Sequence, residues 1–447
     1  MAEGTAGAGS THSQDTDEAF IALLDVSLIE SLALSTRRTA LDDVGQPSNA
    51  PSELAERATE LTCEVAVPPH TGSFHVVYEL KFSDEVHWVI RIPFHEWDHL
   101  CSEGMRSDIL ALEHITARTS LPIPRVHGLS CVQDNALGHP YTITDFVRGT
   151  KLIDVWDVPS WWVGGRTKQR LLDSLARHMA VSASMTGKTH VGAFSCLRQF
   201  LPDHDDAEAE FGPFDTTNAF FRSLIGKARQ MNNRPELAAL QLFIGALPDY
   251  RFDGSPFHFA VPDFDSQNIL VDDGGEVAGI IDWDNICIYP RELGALTYPA
   301  WITVDPMMYD MYQDQPNCDS ESDLHGYRTM YTNAIDRASQ GRLGVVTRNS
   351  HVVQALFDAA RTLSPTTMTH LAKYVWGSNG LTFEVIEAIG HCAWYSQKPT
   401  DIARVVGWLG AIEWDKYGSS EDEDMAEQPE RAADDDAVKT ASQDELT

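Results

Sequence analysis

Two stretches in the first quarter of the chain have the apolar and polar pattern of β-strands. SFHVVYELKF (73–82) and VHWVIRIPF (86–94) are rich in β-branched and aromatic residues, the residue types that favour strands. The link between them is only SDE. Because so short a link forces the two runs to lie side by side, the pattern predicts a β-hairpin.

The apolar spacing changes to that of helices elsewhere in the chain. Residues 19–34, 106–119 and 166–185 repeat apolar positions at helical intervals. A short strand pattern, YTITDFV, precedes residue 149, and after that glycine the chain reads as mostly helical, with a strand-rich interruption at 256–283. A β-rich first part therefore joins a helix-rich second part near 145–149, which predicts two lobes with a hinge.

The composition indicates a folded protein with a strongly acidic charge. The chain has 447 residues, of which 43% are hydrophobic, so it can build real cores and is too apolar for a fully disordered chain. It carries 66 Asp and Glu against 33 Lys and Arg, a formal net charge of −33. This charge repels nucleic acid and anionic membrane surfaces, so we expect neither as a partner. A cationic partner would be tolerated or attracted.

Cysteine usage and the N-terminus predict a compartment. The seven cysteines are scattered and form no CxxC pair, so neither a disulfide framework nor a cysteine-based zinc site is expected. The N-terminus has no apolar segment or basic start of the signal-peptide type, and no stretch approaches a membrane span. We therefore expect a soluble protein in the reducing cytoplasm.

One hairpin in the second part of the chain gathers polar side chains at its open end. The apolar runs ILV and VAGII flank DDGG at 272–275, a strong hairpin signal. With the turn centred on Gly275, Asn268 would lie directly opposite Asp282. An error of one residue in the turn would move this pairing by one position.

The residue types at that end of the hairpin suit a magnesium site. An amide oxygen from Asn268 and a carboxylate from Asp282 are hard oxygen ligands, which Mg²⁺ prefers. Asp263 precedes Asn268 by five residues and can overhang the same end as a candidate base. The alternative is an acidic loop beside an ordinary hairpin, which explains the strands but not the three polar groups at one end.

The same segment resembles a known family. D-x-x-x-x-N followed by I-I-D-W, within PDFDSQNILVDDGGEVAGIIDWD, is similar to the active site of the aminoglycoside phosphotransferase and choline kinase-like family, and especially to its fungal members. GSFHVVYELKF, WVIRIP, SDILALEHITARTSLPIPRVHG and PYTITDFVRGTKL match upstream in the same order. The resemblance covers roughly residues 65–415.

The resemblance implies a fold and a function. The fold would be an α+β, bilobal, protein-kinase-like one, and the activity an ATP- and Mg²⁺-dependent transfer of phosphate to a hydroxyl of a small molecule. The alternative is a catalytically weak pseudokinase that serves as a nucleotide-binding or scaffold module. A protein kinase is disfavoured because the HRD, DFG and APE motifs are missing. The acceptor and the oligomeric state cannot be predicted from the sequence.

The resemblance also assigns roles to individual residues. Asp263 matches the catalytic aspartate, and Asn268 and Asp282 match the magnesium ligands. The residues that would bind ATP are Gly72, Ser73 and Phe74 in the phosphate-covering turn, Arg91 at the position of the phosphate-contacting lysine, and Asp145 and Val147, whose backbones would meet the adenine edge.

A helical carboxylate is expected to pair with Arg91. The candidates Glu103, Asp108 and Glu113 are five residues apart, so successive ones are rotated by about 140° and at most one can face inward. Asp108 shares its face with the apolar residues four and seven positions on, which marks the packed side. We therefore predict a bidentate ion pair between Arg91 and Asp108, in which Asp108 supports ATP binding.

One departure from the family pattern bears on activity. The family has a histidine two residues before the catalytic aspartate, and this chain has Val261 there. Valine fills much of the same volume but donates no hydrogen bond, so a looser catalytic loop and slow turnover are expected. His258 cannot substitute for it, because on a strand its side chain points to the other face.

The pattern and the resemblance together predict five segments. They are a disordered N-terminal tail at 1–18, a helical extension at 19–64, a nucleotide-binding β-rich N-lobe at 65–147, a C-lobe with the catalytic loop, metal site and acceptor pocket at 148–418, and a disordered acidic tail at 419–447.

Overall fold

The computed structural model confirms the α+β fold with two lobes, a β-rich one followed by a mainly helical one, as in protein kinases. It describes residues 18–44, 61–185, 212–231, 235–303, 319–362 and 364–376. The predicted N-terminal tail, apart from Glu18, and the predicted acidic tail at 419–447 lie outside the described residues.

The N-lobe is built on one antiparallel sheet. Its strands are β1 (Cys63–Val65), β2 (His70–Thr71), β3 (His75–Phe82), β4 (His87–Pro93), β5 (Val126–Ser130) and β6 (Tyr141–Asp145). They lie in the order β1-β3-β4-β6-β5, and β2 pairs with β3. The predicted hairpin is therefore confirmed as β3 and β4. Burial alternates along both strands, because successive side chains of a strand point to opposite faces.

Two helices accompany this sheet. Helix α1 (Val26–Val44) buries Ile29 and Ala33 in the same hydrophobic cluster as the sheet residues. The helix expected over 19–34 is interrupted, because residues 18–21 form a separate helical turn and α1 begins at Val26 and runs further. The Asp25 carboxylate accepts from the Ser27 N–H at 2.9 Å at the start of α1. Helix α2 (His99–Thr116) begins seven residues before the predicted start, because Asp98 caps it by accepting from a first-turn N–H.

The C-lobe packs helices around two hydrophobic clusters. Its helices are α3 (Lys168–Met185), α4 (Thr217–Met231), α5 (Pro235–Ala246), α6 (Glu321–Ser339), α7 (Gly344–Arg348), α8 (Ser350–Thr362) and α9 (Pro365–Trp376). Helices α3 and α6 share one cluster with the strands next to the site, and α4, α5, α8 and α9 share the other. The helix predicted over 166–185 is confirmed as α3.

Short strands carry the polar loops of the C-lobe. They are β7 (Thr150–Lys151), β8 (His258–Phe259), β9 (Ile269–Val271), β10 (Val277–Ile280) and β11 (Ile288–Tyr289), arranged as a β10-β9-β7 sheet and a β11-β8 pair. The predicted hairpin is confirmed as β9 and β10, but its register is not the expected one. The Asn268 carbonyl accepts from the Ile281 N–H at 2.9 Å, so Asn268 faces Ile281 instead of Asp282.

The one-residue difference in register has two sources. The turn is tighter than expected, since the Asp272 N–H donates to the Glu276 carbonyl at 3.0 Å and the turn is centred on Gly274. A bulge between Val277 and Gly279 then moves the pairing back by one residue, because a bulge opposes two residues on one strand to one on the other. Asp282 remains at the open end of the hairpin, one position beyond Ile281.

Two further sequence-based expectations can be compared with the described part of the chain. No helix in it is long and apolar enough to cross a membrane. Cys63, Cys101 and Cys131 are free thiols, while Cys287 is disulfide-bonded. The scattered spacing of the cysteines did not predict this bond.

Candidate active site

A single cleft between the lobes contains every residue that the sequence assigned to the site. Its volume is about 1940 Å³. Its walls include the ten assigned residues Gly72, Ser73, Phe74, Arg91, Asp108, Asp145, Val147, Asp263, Asn268 and Asp282. These residues come from both lobes and are up to 210 positions apart in the chain, so the fold alone brings them together.

Asp263 lies on a tight loop between β8 and β9. Its backbone φ is +42°, a left-handed value that a non-glycine residue adopts only where its surroundings impose it. The Asp265 N–H donates to the Asp263 carbonyl at 2.7 Å, and the Asn268 Nδ2 amide donates to the same carbonyl at 3.0 Å. These hydrogen bonds fix the loop in a conformation that leaves the Asp263 side chain exposed to the cleft.

The Asp263 carboxylate uses its two oxygens differently. Oδ2 accepts from Gln267 Nε2 at 2.5 Å and from Asn268 Nδ2 at 3.1 Å. Within the described residues no group donates to Oδ1, so this oxygen is open to a molecule in the cleft. Gln267 was not anticipated as part of the site, although it lies inside the D-x-x-x-x-N motif that drew attention to Asp263 and Asn268.

Arg91 reaches from β4 of the N-lobe to two carboxylates of the C-lobe. Its Nη2 lies 2.6 Å from Asp282 Oδ1 and 2.7 Å from Asp284 Oδ2, and its Nη1 lies 3.3 Å from Asp284 Oδ1. The contact with Asp284 is therefore bidentate, the geometry in which a guanidinium binds a carboxylate best. Burial by itself would lower the pKa of Arg91, but Asp284 and Asp282 outweigh it and raise the pKa.

His75 and Asp284 extend this charged cluster and were not predicted as site residues. His75 Nε2 lies 3.6 Å from Asp284 Oδ2. Burial lowers the pKa of His75 to about 4, so the ring is neutral at pH 7. Burial opposes the charge of Asp284, yet Arg91 outweighs this effect and lowers the pKa of that carboxyl. The signal for Asp284 was present in the sequence, since IDWD places a second carboxylate two residues after Asp282.

The predicted ion pair between Arg91 and Asp108 is wrong. Asp108 does face inward from α2, as its helical position indicated, but its carboxylate accepts from two backbone N–H groups of the C-lobe. Oδ2 accepts from Asn285 at 2.9 Å and Oδ1 from Ile286 at 2.8 Å. Asp108 thereby ties α2 to the loop after β10, where Asn285 has a φ of +66°. Burial raises the pKa of Asp108 to about 7.

The replacement of Asp108 by asparagine tests this new role. An amide offers one oxygen where the carboxylate offers two, so in Asp108→Asn one backbone N–H would face an amide N–H. We expect the free energy of unfolding to fall by about 1–3 kcal/mol, the cost of an unsatisfied buried donor. Chemical denaturation measures it. The matched control is Glu103→Gln on the exposed face of the same helix, and an equal loss in both variants would contradict the assignment.

The segment that follows β6 presents backbone groups at one end of the cleft. The Asp145 N–H donates to the Arg125 carbonyl at 3.1 Å, and the Phe146 N–H donates to the His87 carbonyl at 3.1 Å. No described residue accepts from the Val147 N–H, so this donor remains available for a flat ring with an acceptor at its edge.

The side chain of Asp145 holds this segment in place. Its Oδ1 lies 2.6 Å from His127 Nε2, and its Oδ2 accepts from the Arg125 N–H at 3.1 Å. Burial works against ionisation of Asp145, but these hydrogen bonds outweigh it and lower its pKa. The side chain is therefore held by the sheet and is not available to a ligand.

The predicted phosphate-covering turn joins β2 to β3 above the charged cluster. The Gly72 N–H donates to the His75 carbonyl at 2.9 Å, which closes a tight turn. Gly72, Ser73 and Phe74 are all exposed, and 60% of the Phe74 surface is accessible. The turn therefore offers backbone groups to the cleft and does not fold its side chains into the core.

The chemistry of the donors fits a magnesium ion. Asn268 uses Nδ2 for its bonds to Asp263, and no described group donates to its Oδ1. Asp282 contacts Arg91 through Oδ1 and shares a hydrogen bond with Asp284. Burial raises the pKa of Asp282, and a bound cation would favour the ionised carboxylate. An amide oxygen and a carboxylate thus lie at one end of the hairpin. In the described residues no group of three or more His, Cys, Asp or Glu could hold a metal. Mg²⁺ is usually bound by one or two carboxylates and completes its shell with water and phosphate oxygens.

Known relatives match only part of the chain. A protein from Meyerozyma guilliermondii named Altered inheritance of mitochondria protein 9, mitochondrial, is 25% identical over 100 residues, which is 22% of this chain and 16% of that protein. Its namesake from Clavispora lusitaniae is 23% identical over 149 residues, 33% of this chain and 24% of that protein. The chain thus matches less than a quarter of the length of each of these relatives.

The names of these relatives contradict the expected location. Both place the proteins in mitochondria, so the cytoplasmic location predicted from the sequence is wrong. The physical reason is that scattered cysteines and the absence of a CxxC pair are equally compatible with the cytoplasm and with the mitochondrial interior. These features therefore could not distinguish the two compartments.

A solved structure and a family model also match this chain. The crystal structure of a candidate aminoglycoside phosphotransferase from Ralstonia eutropha is 12% identical with a TM-score of 0.42, and the match covers 86% of this chain and 98% of that one. The model of the family described as "Phosphotransferase enzyme family" matches residues 67–293, half of the chain, and this range includes all ten site residues. The chain therefore belongs to the phosphotransferase enzyme family, as the resemblance implied.

Proposed function

We propose that the protein is an ATP- and Mg²⁺-dependent phosphotransferase that acts on a hydroxyl of a small molecule. The observation that carries the proposal is the convergence of Asp263, Asn268 and Asp282 on one side of the cleft, with Arg91 of the opposite lobe 2.6 Å from Asp282. A base, two metal ligands and a cation are the parts that phosphoryl transfer needs.

Each part of the cleft then has a role toward ATP. The backbones of Asp145 and Val147 would meet the adenine edge, and the turn at 72–74 would cover the phosphates. Asn268 Oδ1 and the Asp282 carboxylate would hold the metal ion, which neutralises charge on the phosphates. Arg91 would add its positive charge from the N-lobe side. Asp108 supports the site indirectly, by anchoring the loop that follows Asp282.

Asp263 is the group that would handle the acceptor. In the proposed reaction the acceptor oxygen forms a bond to the γ-phosphorus, the bond to the bridging oxygen of ADP breaks, and the hydroxyl proton moves to Asp263 Oδ1. Gln267 and Asn268 both bind Oδ2, so they orient the carboxylate without blocking Oδ1. A general base is effective only when its oxygen is held within hydrogen-bond reach of the proton that it takes up.

A panel of hydroxylated metabolites tests this proposal. The protein with Mg-ATP should release ADP faster in the presence of at least one member, and the increase should vanish when EDTA removes the metal. ADP is measured by a coupled assay and the product by mass spectrometry. Acceptor-independent ADP release at the same rate throughout the panel would contradict a phosphotransferase.

The second candidate function is a catalytically weak, nucleotide-binding pseudokinase. It is favoured by Val261 in place of histidine and by the engagement of Arg91 with Asp282 and Asp284. Against it, the loop that Val261 precedes is held by two hydrogen bonds to the Asp263 carbonyl. These bonds can fix Asp263 without a histidine.

The variant Val261→His distinguishes a loop built around valine from one that has merely lost its histidine. Val261 is 9% exposed and belongs to the hydrophobic cluster that includes Phe259 and Phe264. An imidazole placed there without a partner should lower the free energy of unfolding by about 1–3 kcal/mol, and kcat should not rise. Thermal unfolding and turnover are measured together. A rise in kcat with unchanged stability would show that the loop lacks the histidine.

We further propose a mitochondrial location, in line with the names of the relatives. A tagged full-length protein should sediment with mitochondria and resist added protease until the membranes are opened. Recovery in the supernatant after gentle lysis would contradict this.

A further inference from the structure

The half of the cleft beyond Asp263 has a wall of aromatic residues. This aromatic wall consists of Tyr289, Trp301, His351, Phe357 and Tyr374, all of which line the cleft. The rings of Tyr289 and Phe357 are 5.6 Å apart, and those of His351 and Tyr374 are 4.8 Å apart at 87°. Rings that meet edge to face in this way form a stable surface on which another ring can pack.

Trp301 of the aromatic wall is joined directly to the loop that carries Asp263. The Ala300 N–H donates to the Phe264 carbonyl at 2.8 Å, and the rings of Phe264 and Trp301 are 6.1 Å apart. A molecule packed against Trp301 therefore lies close to the residue after Asp263. The other four rings line the same cleft, so Trp301 is the part of the wall nearest to the place where the acceptor of the proposed reaction has to bind.

Two polar atoms of the aromatic wall are buried without a partner. Trp301 Nε1 and His351 Nδ1 have no hydrogen bond within the described residues, and Trp301 is only 8% exposed. An unsatisfied buried polar group is costly, and a ligand oxygen that accepts from the indole N–H would remove that cost. Burial holds the pKa of His351 well below its ordinary value, so this ring is neutral at pH 7.

The charges on helix α8 beside the wall cancel. His351, Gln354, Asp358 and Arg361 follow one another at intervals of three or four residues, so they share the face of the helix that lines the cleft. Asp358 Oδ1 accepts from Gln354 Nε2 at 3.2 Å and lies 4.0 Å from Arg361 Nη2. Asp358 is the one carboxylate of this surface among the described residues, and Arg361 already balances its charge. A polycation that gave up its water to bind here would therefore find no unbalanced negative charge on this surface.

From these features we infer that the acceptor is an uncharged aromatic compound that carries a hydroxyl group. This inference rests on the proposed phosphotransferase function and names its acceptor class. It differs from what the net charge of −33 suggests, since the acidic groups of the cleft other than Asp358 lie on the nucleotide side or on the loop of Asp263. The ring packs on the aromatic wall, an oxygen accepts from Trp301, and the hydroxyl meets Asp263.

Binding experiments on the full chain test the inference without any catalytic step. Ligand-observed NMR compares a set of uncharged hydroxylated aromatic compounds, such as 4-(2-hydroxyethyl)phenol, with their amine counterparts, such as 4-(2-aminoethyl)phenol, and with kanamycin. We expect binding from the uncharged set. Preferential binding of kanamycin, or no binding from the uncharged set, would overturn the inference.

Variants show whether the bound compounds use the aromatic wall. Trp301→Phe keeps a ring but removes the N–H, and we expect the affinity to fall about 5- to 10-fold. Trp161→Phe is the matched control, because Trp161 Nε1 is also buried without a partner but the residue lies outside the cleft. Equal losses in the two variants would overturn the inference.

A second variant changes the charge of the wall. Arg361→Gln removes the positive charge 4.0 Å from Asp358, so the amine counterparts should gain affinity by about 2- to 5-fold over the parent, the effect of one partly exposed ion pair. Unchanged amine affinity would contradict the charge argument.

The outcomes separate this inference from the proposed function. If uncharged aromatic compounds bind through Trp301 but none is phosphorylated, the ligand class stands and the phosphotransferase proposal fails. If kanamycin is phosphorylated, the phosphotransferase proposal stands and the ligand class fails.

Discussion

Asp263→Asn should abolish phosphoryl transfer and leave the binding of Mg-ATP nearly unchanged. An asparagine at this position can still accept from Gln267 and Asn268, so the loop keeps its hydrogen bonds, but it can no longer take up a proton at Oδ1. We expect kcat to fall by about 100- to 10,000-fold, the range for loss of a general base. The dissociation constant of Mg-ATP should change by less than about twofold, because Asp263 is not among the groups that would hold ATP.

The control for this prediction is Asp273→Asn, in the exposed turn of the neighbouring hairpin. It removes the same charge from the same part of the chain without touching the cleft, and it should retain parental turnover. Parental turnover in Asp263→Asn, measured with a verified acceptor, would show that Asp263 is not the base. A large loss of Mg-ATP affinity would show instead that Asp263 holds the metal.

Asp282→Ala should have the second large effect, on binding and not only on rate. Asp282 is the carboxylate of the proposed metal pair and also contacts Arg91 at 2.6 Å. We expect the dissociation constant of Mg-ATP to rise by at least about 10- to 100-fold. Removal of a group that only supports a metal ligand already causes a loss of this size. Calorimetry with and without Mg²⁺ separates the effects, because ATP in EDTA should bind parent and variant with similar affinity.

Asp284→Asn provides the comparison for Asp282→Ala. Asp284 also binds Arg91, so a variant there disturbs the arginine and leaves the proposed metal pair intact. If the two variants lose the same Mg-dependent part of the affinity, the metal site includes Asp284 or lies elsewhere. If only Asp282→Ala loses it, the assignment of Asp282 gains support.

The sequence predicted those parts of the fold that depend on local pattern. The hairpin of β3 and β4 follows from alternation in two adjacent runs, and the inward face of Asp108 follows from helical spacing. The partner of Asp108 did not follow, because the choice between Arg91 and the N–H groups of Asn285 and Ile286 depends on how the two lobes pack. The distances between Asp108 and these groups depend on the packing of the two lobes and are not encoded in any local sequence pattern.

The register of the second hairpin shows a similar limit on a smaller scale. DDGG correctly indicated a turn, but the position of its centre and the bulge after Val277 depend on contacts outside the hairpin. One such contact is the N–H of Val277 to Ser174 Oγ on α3, at 3.3 Å. Asn268 and Asp282 nevertheless lie together at the open end of the hairpin, because a shift of one residue in the strand register moves neither of them away from it.

Arg91 provides a further example of a pattern that gave the position but not the partners. WVIRIP placed the arginine on a strand that faces the cleft, and the structure confirms this placement. Its side chain is long enough to cross to Asp282 and Asp284, which lie 191 and 193 residues away in the chain. Two acidic neighbours could have been suspected from IDWD, but their approach to Arg91 required the arrangement of the lobes.

The transfer of a labelled γ-phosphate tests the central claim most directly. The full chain is incubated with Mg²⁺, γ-labelled ATP and a small-molecule extract of mitochondria, and the label is followed into inorganic phosphate and organic products. We expect label in at least one organic phosphate with the parent protein, and none with Asp263→Asn at equal occupancy by ATP. The proposed function would be contradicted if the label of bound ATP stayed in ATP, or if it appeared in the same products with both proteins.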